Sequence, residues 1–586
     1  MSKTAYLFET RSVQRFLFEG GKLRDMVSAS DQLDALCAEG RTISQYTLNS
    51  ENAWFSPLDQ TLKACEIETD DVQFSRRAGG AIYVVFSAES KARQFQICWS
   101  YYVRQHFPGV ELVQVLETAD TVPQAMARAL EQLPAQRNRV SPQLPVPGPL
   151  VRRSPRTGEP AVTYDRSRGE WVDDATRIKR NVKPSQSSLI PKFADDFDQY
   201  QWPNNLERET EGDKSGVTFP FIGEERTVAL VHADGNGIGE VLMKLGDTIK
   251  DVVKTTGKED QYCELFLQFS RAMEASTAAA AKRAMRVVLD TLNKGDVVPA
   301  RPLVLGGDDL TLLIRADLAL EFTNSFCRAF EEETASRLSA LKDSIDALVP
   351  DHEFDLTRLT RLTASAGVAF IKANQPFLQA HDLAESLCGE AKARSREHMA
   401  DSRELIDASI SFHQVSAALI EKIKDVREHE WTLPSIARSV INFEDKDKSV
   451  ELAMGGYALD EAAQRSTQST AGQPASLPSY RILTELAGMF SENGLNRNGL
   501  RQVAMLLKDN PDLARQRYRR WREVSAKSQP GELQNFDERM AELIALQSAD
   551  DLPFDRRTGK SPLMDLLVIT GFSKAETSPE QGGAHE

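Results

Sequence analysis

Cysteine is scarce. There are six in 586 residues, Cys37, Cys65, Cys98, Cys263, Cys327 and Cys388, and none forms a C-x-x-C pair. That scatter argues against a zinc ribbon and a disulfide framework, and it predicts a reducing, cytoplasmic setting. Long uncharged apolar runs are missing, so no membrane span is expected. The chain meets Glu9 and Arg11 within a dozen residues, so no secretory leader is expected either. Positive charge is in deficit, with 71 Lys and Arg against 86 Asp and Glu and a net charge of −15. This excludes a general nucleic-acid sponge, because phosphate binding rests on clustered Lys and Arg. What is present is ordinary for a globular protein, 41% hydrophobic and 27% charged residues. The length allows about four domain-sized units.

Five regions are predicted. Residues 1–135 alternate strands and helices: a strand at Tyr6–Phe8, a helix from Ser12 to Leu36, a β-branched strand at Ala81–Phe86 after Gly79-Gly80, a helix from Ala88 to His106 and a strand around Val110 to Val115. Residues 136–219 form a Pro- and Arg-rich linker or small insertion, with Pro134, Pro142, Pro145, Pro147 and Pro149 crowding its start. Residues 220–418 repeat the strand–helix order of the first region, which suggests an internal duplication of an α+β module. Residues 419–572 carry apolar positions at three-and-four spacing and are predicted helical. Residues 573–586 are Ser-, Glu- and Gly-rich and predicted disordered.

The chemistry concentrates in the third region. The buried strand Val228-Ala229-Leu230-Val231-His232-Ala233 ends in Asp234-Gly235-Asn236-Gly237, and a helix follows. Downstream, two apolar strands flank Gly306-Gly307-Asp308-Asp309, a hairpin with carboxylates at its tip. If Asp234 and the Asp308-Asp309 pair meet, their like charges need a cation between them. Mg²⁺ suits such carboxylates and keeps phosphate oxygens as further ligands. Gly306 and Gly307 permit the tight turn, while Gly235 and Gly237 let backbone approach a phosphate at a helix start. Such a site fits nucleotidyl transfer.

These residues carry a resemblance. His232 to Gly239, the Gly-Gly-Asp-Asp tip, Ser365-Ala366-Gly367-Val368-Ala369 and the helix from His381 to Lys392 resemble the palm, or cyclase, domain of the large subunit of type III CRISPR effector complexes. Ser12 to Phe18 and Lys22 to Ser30 resemble that family's first, degenerate palm, whose hairpin here, Ala78-Gly79-Gly80-Ala81, holds no carboxylate. The resemblance implies two ferredoxin-like palm domains followed by a helical domain, in a variant without the HD nuclease domain. It also implies ATP as substrate, a two-metal site for Mg²⁺ or Mn²⁺, and a cyclic oligonucleotide messenger for antiviral defence as product. Asp234, Asp308 and Asp309 then hold metal. Gly235, Asn236, Gly237, Gly306, Gly307, Ser365 and Lys392 surround the nucleotide. At the place of that family's zinc-binding insertion, Arg153 to Ala161 lacks cysteine, so no zinc is predicted there.

Two other readings stand beside this one. A scaffold subunit could hold guide or target RNA and other effector subunits with its palm merely structural. A diguanylate-cyclase-like enzyme is disfavoured by Leu310, where that family places an aromatic. The basic stretches Arg152 to Lys183 and Arg515 to Arg522 are the candidate RNA surfaces, the second with Tyr518 and Trp521 as stacking rings.

Overall fold

The structure, a computed structural model, describes residues 2–37, 56–139, 148–181, 189–207, 216–350, 359, 361–397, 406–416, 422–459, 477–490 and 494–572, apart from positions 167, 223–224, 442, 444, 446, 547 and 549–550. Pro142, Pro145 and Pro147 of the predicted linker and the predicted disordered tail lie outside the described residues. Among the described residues, no helix is long and apolar enough to cross a membrane.

The chain opens with β1 (Lys3–Arg11). Its alternation sends Ala5 and Leu7 to one face and Tyr6 and Phe8 to the other, all fully buried. The helix expected from Ser12 to Leu36 is two, α1 (Val13–Phe18) and α2 (Leu23–Cys37). Gly21, at φ +65°, takes the left-handed turn between them. There follow α3 (Pro57–Ala64), β2 (Val72–Ala78), β3 (Ala81–Phe86), α4 (Glu89–His106), β4 (Glu111–Ala119) and α5 (Val122–Arg137). The four strands form an antiparallel sheet in the order β2-β3-β1-β4.

The Arg-rich insertion is a hairpin, β5 (Ala161–Asp165) with β6 (Glu170–Asp173), leading into α6 (Asp174–Asn181). Some of its basic residues are committed inside the fold, while Arg152, Arg153, Arg166 and Arg177 remain exposed. Arg180 bonds Asp25, Asp165 and Glu170, and Arg156 bonds Glu170. Buried Lys179 donates to the carbonyl of Phe16. Asp25 on α2 is 1% exposed, so Arg180, with Arg168 at 3.5 Å, supplies the countercharge that such burial requires.

The second sheet is built from β7 (Thr227–Gly235), β8 (Ala300–Gly306), β9 (Asp309–Arg315), β10 (Ala364–Lys372), β11 (Ser409–Gln414) and β12 (Tyr457–Ala458). Between them lie α7 (Ile238–Thr256), α8 (Asp260–Leu289), α9 (Ala319–Leu348) and α10 (Phe377–Glu397). Strand order is β12-β11-β10-β7-β9-β8. The segment β8-β9-β7-β10 repeats the order and antiparallel pairing of β2-β3-β1-β4. Ala229, Val231 and Ala233 of β7 pack into the core containing buried residues of α7, α8 and α9, while Val228 and Leu230 share a core with Phe18 and Met26 of the N-terminal region. The two sheets are thus joined through apolar packing, where full burial of one such side chain contributes about 1.5–3 kcal/mol.

The region after residue 418 is not wholly helical, as the sequence suggests. Tyr457–Ala458 adds an edge strand to β11, and Glu451 bridges Thr432 and Lys560 through single ladder contacts. Helices α11 (Tyr480–Gly488), α12 (Arg497–Asp509), α13 (Pro511–Ser528), α14 (Pro530–Leu543) and α15 (Leu563–Phe572) follow, and Phe572 stacks on Phe370 of β10 at 4.5 Å between ring centroids.

Helix α10 lies directly on β10. A Cβ at Gly367 would stand 2.0 Å from the carbonyl oxygen of Ala384 and 2.5 Å from the amide nitrogen of Cys388. These are backbone atoms and cannot swing aside. Gly367→Ala is therefore expected to destabilise the protein by at least about 1–3 kcal/mol, the usual cost of overpacking. Denaturant unfolding checks this, and an unchanged midpoint and slope would show that helix and strand are not in such close contact.

Candidate active site

The antiparallel pairing of β7 with β9 matches Ala233 to Leu310, so Asp234 stands beside the start of the Asp309 strand. Leu310, Leu312 and Ile314 of β9 point into the core under α7–α9. Asp309 alternates to the opposite face, the one that carries Asp234. A one-residue slip would turn the Asp309 carboxylate into the apolar core under α7–α9, so apolar burial helps fix the register that brings the acids together.

Asp234, Asp308 and Asp309 each place a carboxylate oxygen within 4.8 Å of the other two, and all three remain partly open to solvent. Gly235 makes room for this: a Cβ there would meet Asp308 Oδ2 at 2.9 Å. The hairpin turns at Gly307, with φ +63°, whose carbonyl accepts a 2.6 Å hydrogen bond from Thr277 Oγ1 on α8. Gly237, at φ +67°, caps α7 without any side-chain bond to the helix's first amides. The Glu240 amide donates to the carbonyl of Gly237 at 3.0 Å, and the helix start carries the positive end of the helix field.

Lys392 of α10 donates to Asp234 Oδ2, and to the carbonyl of Gly235 at 2.8 Å. Charges within the trio are unequal. Burial alone would raise Asp234, but hydrogen bonds from Asp309, then the charge of Lys392, hold it below the usual aspartate range. Burial, followed by the neighbouring Asp234, pushes Asp308 up to about 6 and raises Asp309 well above its ordinary value. Lys392 offsets Asp234, and the crowding that raises Asp308 and Asp309 is what a cation among the three oxygens would relieve.

The other residues singled out in the sequence fall in two places. Gly235, Gly306 and Gly307 adjoin the trio, and Gly237 caps the start of α7 with Ile406 nearest to it. Asn236 and Ser365 lie beneath it, both buried: Asn236 Nδ2 donates to Thr363 Oγ1 at 3.0 Å, Ser365 Oγ donates to Asn236 Oδ1 at 3.0 Å, and Ser365 Oγ lies 2.8 Å from Ser409 Oγ. This polar strut ties β7, β10 and β11 below the carboxylates. His232 is likewise buried, 3.3 Å from Thr311 Oγ1, and burial lowers its pKa to about 4, so it is neutral at pH 7.

The structure also brings in groups that sequence reasoning missed. Thr277, Thr363 and Ser409 are distant in the chain and have no motif. Gly79 of the β2–β3 hairpin is another: its Cα would lie 3.8 Å from a Cβ on Gly306, so the two hairpin tips face each other.

The basic helix α13 differs from the expected stacking surface. Tyr518 and Trp521 are 2% and 6% exposed, and Trp521 sits edge-on to Phe536 and donates to the carbonyl of Asn496 at 2.9 Å. Arg522 bonds Asp537, Arg520 bonds Glu523, and Arg515 lies 3.7 Å from Asp551. The aromatics at three-residue spacing are core side chains rather than a stacking platform.

Asp308 supplies a test by pH. In the folded chain it takes its proton near pH 6, against 3.8 for an ordinary aspartate. Its charge therefore costs stability above about pH 6, and that cost fades as pH falls toward 4. With chelator present, Asp308→Asn should raise the melting temperature at pH 8 and have little effect at pH 4. A gain of equal size at both pH values would contradict the crowded-charge reading.

Residues 227–400 match the family model described as Cas10/Cmr2, second palm domain. Similar solved structures include a Csm1–Csm4 cassette in complex with cA4, at 12% identity and TM-score 0.46, covering 97% of this chain and 70% of that one. A Csm1–Csm4 cassette in complex with one ATP gives 11% identity and 0.46, covering 98% and 70%. Csm1 from T. onnurineus gives 10% and 0.45, covering 98% and 70%. No curated protein matches the chain.

Proposed function

We propose, from the match of residues 227–400 to the second palm domain of Cas10/Cmr2, that this chain is a large subunit of a type III CRISPR effector that converts ATP into a cyclic oligonucleotide messenger. The observation that carries the proposal is the convergence of Asp234, Asp308 and Asp309 on one face of the family-matched segment, with Lys392 beside them. The N-terminal sheet has the same strand order but a hairpin tip of Gly79-Gly80, so it is assigned as a degenerate palm that closes the site without contributing acid.

The donor set fits Mg²⁺ or Mn²⁺. Three carboxylates with excess negative charge give hard oxygen ligands, and Asp234, Asp308 and Asp309 would hold the metal. When bound, such a metal lowers the pKa of a ribose hydroxyl and offsets charge on phosphate. The chain's own groups do the rest. The positive end of α7 and the glycine-lined turn at Gly306-Gly307 accept a triphosphate at close approach. Lys392 holds Asp234 ionised and in place. The polar strut through Asn236, Thr363, Ser365 and Ser409 stiffens the strand ends that carry the acids. In the overall reaction a ribose hydroxyl displaces pyrophosphate from an α-phosphate, and closure repeats this within one oligomer. Other effector subunits and a guide or target RNA are the partners this role implies.

The test is turnover. Purified protein, alone and with its effector partners, is incubated with each labelled nucleoside triphosphate and Mg²⁺ or Mn²⁺, and products are resolved by mass. Wild type should give a cyclic adenylate product. Asp308→Ala with Asp309→Ala should reduce it at least about 10³-fold at an unchanged or slightly raised melting temperature. Full product yield from the double variant would remove the acids from the chemistry. A lack of product from wild type in every assembly would favour a structural palm.

A further inference from the structure

A second set of donors converges outside the trio. His381, Asp382 and Glu385 lie within one turn of α10, and a donor atom from each is within 4.8 Å of the other two. Positions i and i+4 share a helix face, which sets the His381 ring beside the Glu385 carboxylate. His381 Nδ1 is 4.0 Å from Glu385 Oε2, too far for a hydrogen bond.

His381 is 2% exposed, and its Nδ1 is buried without a hydrogen-bond partner. Buried polar atoms are rarely left this way. The ring cannot readily turn to water, because Phe18 lies against it at 4.8 Å and His232 at 5.3 Å between centroids. Asp382 and Glu385, in contrast, are exposed, so a ligand can reach the nitrogen from solvent past the two carboxylates.

We propose that His381, Asp382 and Glu385 bind a first-row divalent cation, Mn²⁺ or Zn²⁺, with water completing its coordination. One imidazole with two carboxylates is a mixed nitrogen and oxygen set, which suits these ions and not Mg²⁺, whose preference is for oxygen alone. The bound ion supplies the partner that Nδ1 lacks. Lys422 stands within electrostatic reach of Asp382, so His381 and Glu385 are the dominant ligands. The site does not depend on the proposed cyclase activity, and its imidazole donor, which favours Zn²⁺, sets it apart from the all-oxygen trio, although both sets accept Mn²⁺.

The experiment is equilibrium dialysis of the full-length protein against Zn²⁺ or Mn²⁺ in excess Mg²⁺, with bound metal measured by elemental analysis. The D308A/D309A variant removes two of the trio's three carboxylates. It should still retain one Zn²⁺ or Mn²⁺ per chain. Adding E385Q should weaken that binding about tenfold or more, and adding H381Q should abolish it. Circular dichroism checks the folding of H381Q, and exposed Glu385 carries the decision if that variant unfolds. Failure of D308A/D309A to retain either metal, or retention unaffected by E385Q, overturns the proposal.

Discussion

Three carboxylates that repel one another are held together by a strand register that apolar burial fixes. Asp234 and Asp309 share a face only because Ala233 and Leu310 pair on the other. Leu312 and Ile314 keep β9 in that register by filling the core below. The energy of a packed sheet is thereby used to set charges where, without metal, they oppose folding. Lys392 relieves part of the repulsion at Asp234, and the surplus negative charge is left for a cation.

Helix α10 joins this charge cluster to the rest of the molecule. Its start meets the N-terminal region through His381 and Phe18. Its middle lies on β10 at Gly367, and its end delivers Lys392 to Asp234. Further contacts run to the C-terminal region, where Glu390 bonds Arg427 and Arg394 packs against Gly456. One helix therefore touches the acids, helix α1 of the N-terminal region and the C-terminal region.

Much of this arrangement was legible in the sequence because it is local. Strand β7 running into Asp234, and the two apolar strands around Gly306 to Asp309, announce themselves by hydrophobic runs and turn residues. The repeat of one strand order also follows from the alternation of elements along the chain. What escaped is long-range. Thr277 pins Gly307 and Thr363 anchors Asn236 across 30 and 127 residues, and nothing in a short window marks either. Tyr518 and Trp521 misled for the opposite reason: aromatics among arginines suit both a stacking surface and a helix with a buried face. Only the neighbours Asn496, Phe536 and Asp537 show that the face is buried. Arg180 is similar, since its partner Asp25 lies 155 residues away.

The most direct measurement is anomalous diffraction from crystals of the full-length protein grown with Mn²⁺ and a non-hydrolysable ATP analogue. A manganese peak enclosed by Asp234, Asp308, Asp309 and the nucleotide's phosphates is the predicted result. Nucleotide bound elsewhere, or bound at the glycine-lined turn with no manganese on the three carboxylates, would contradict it.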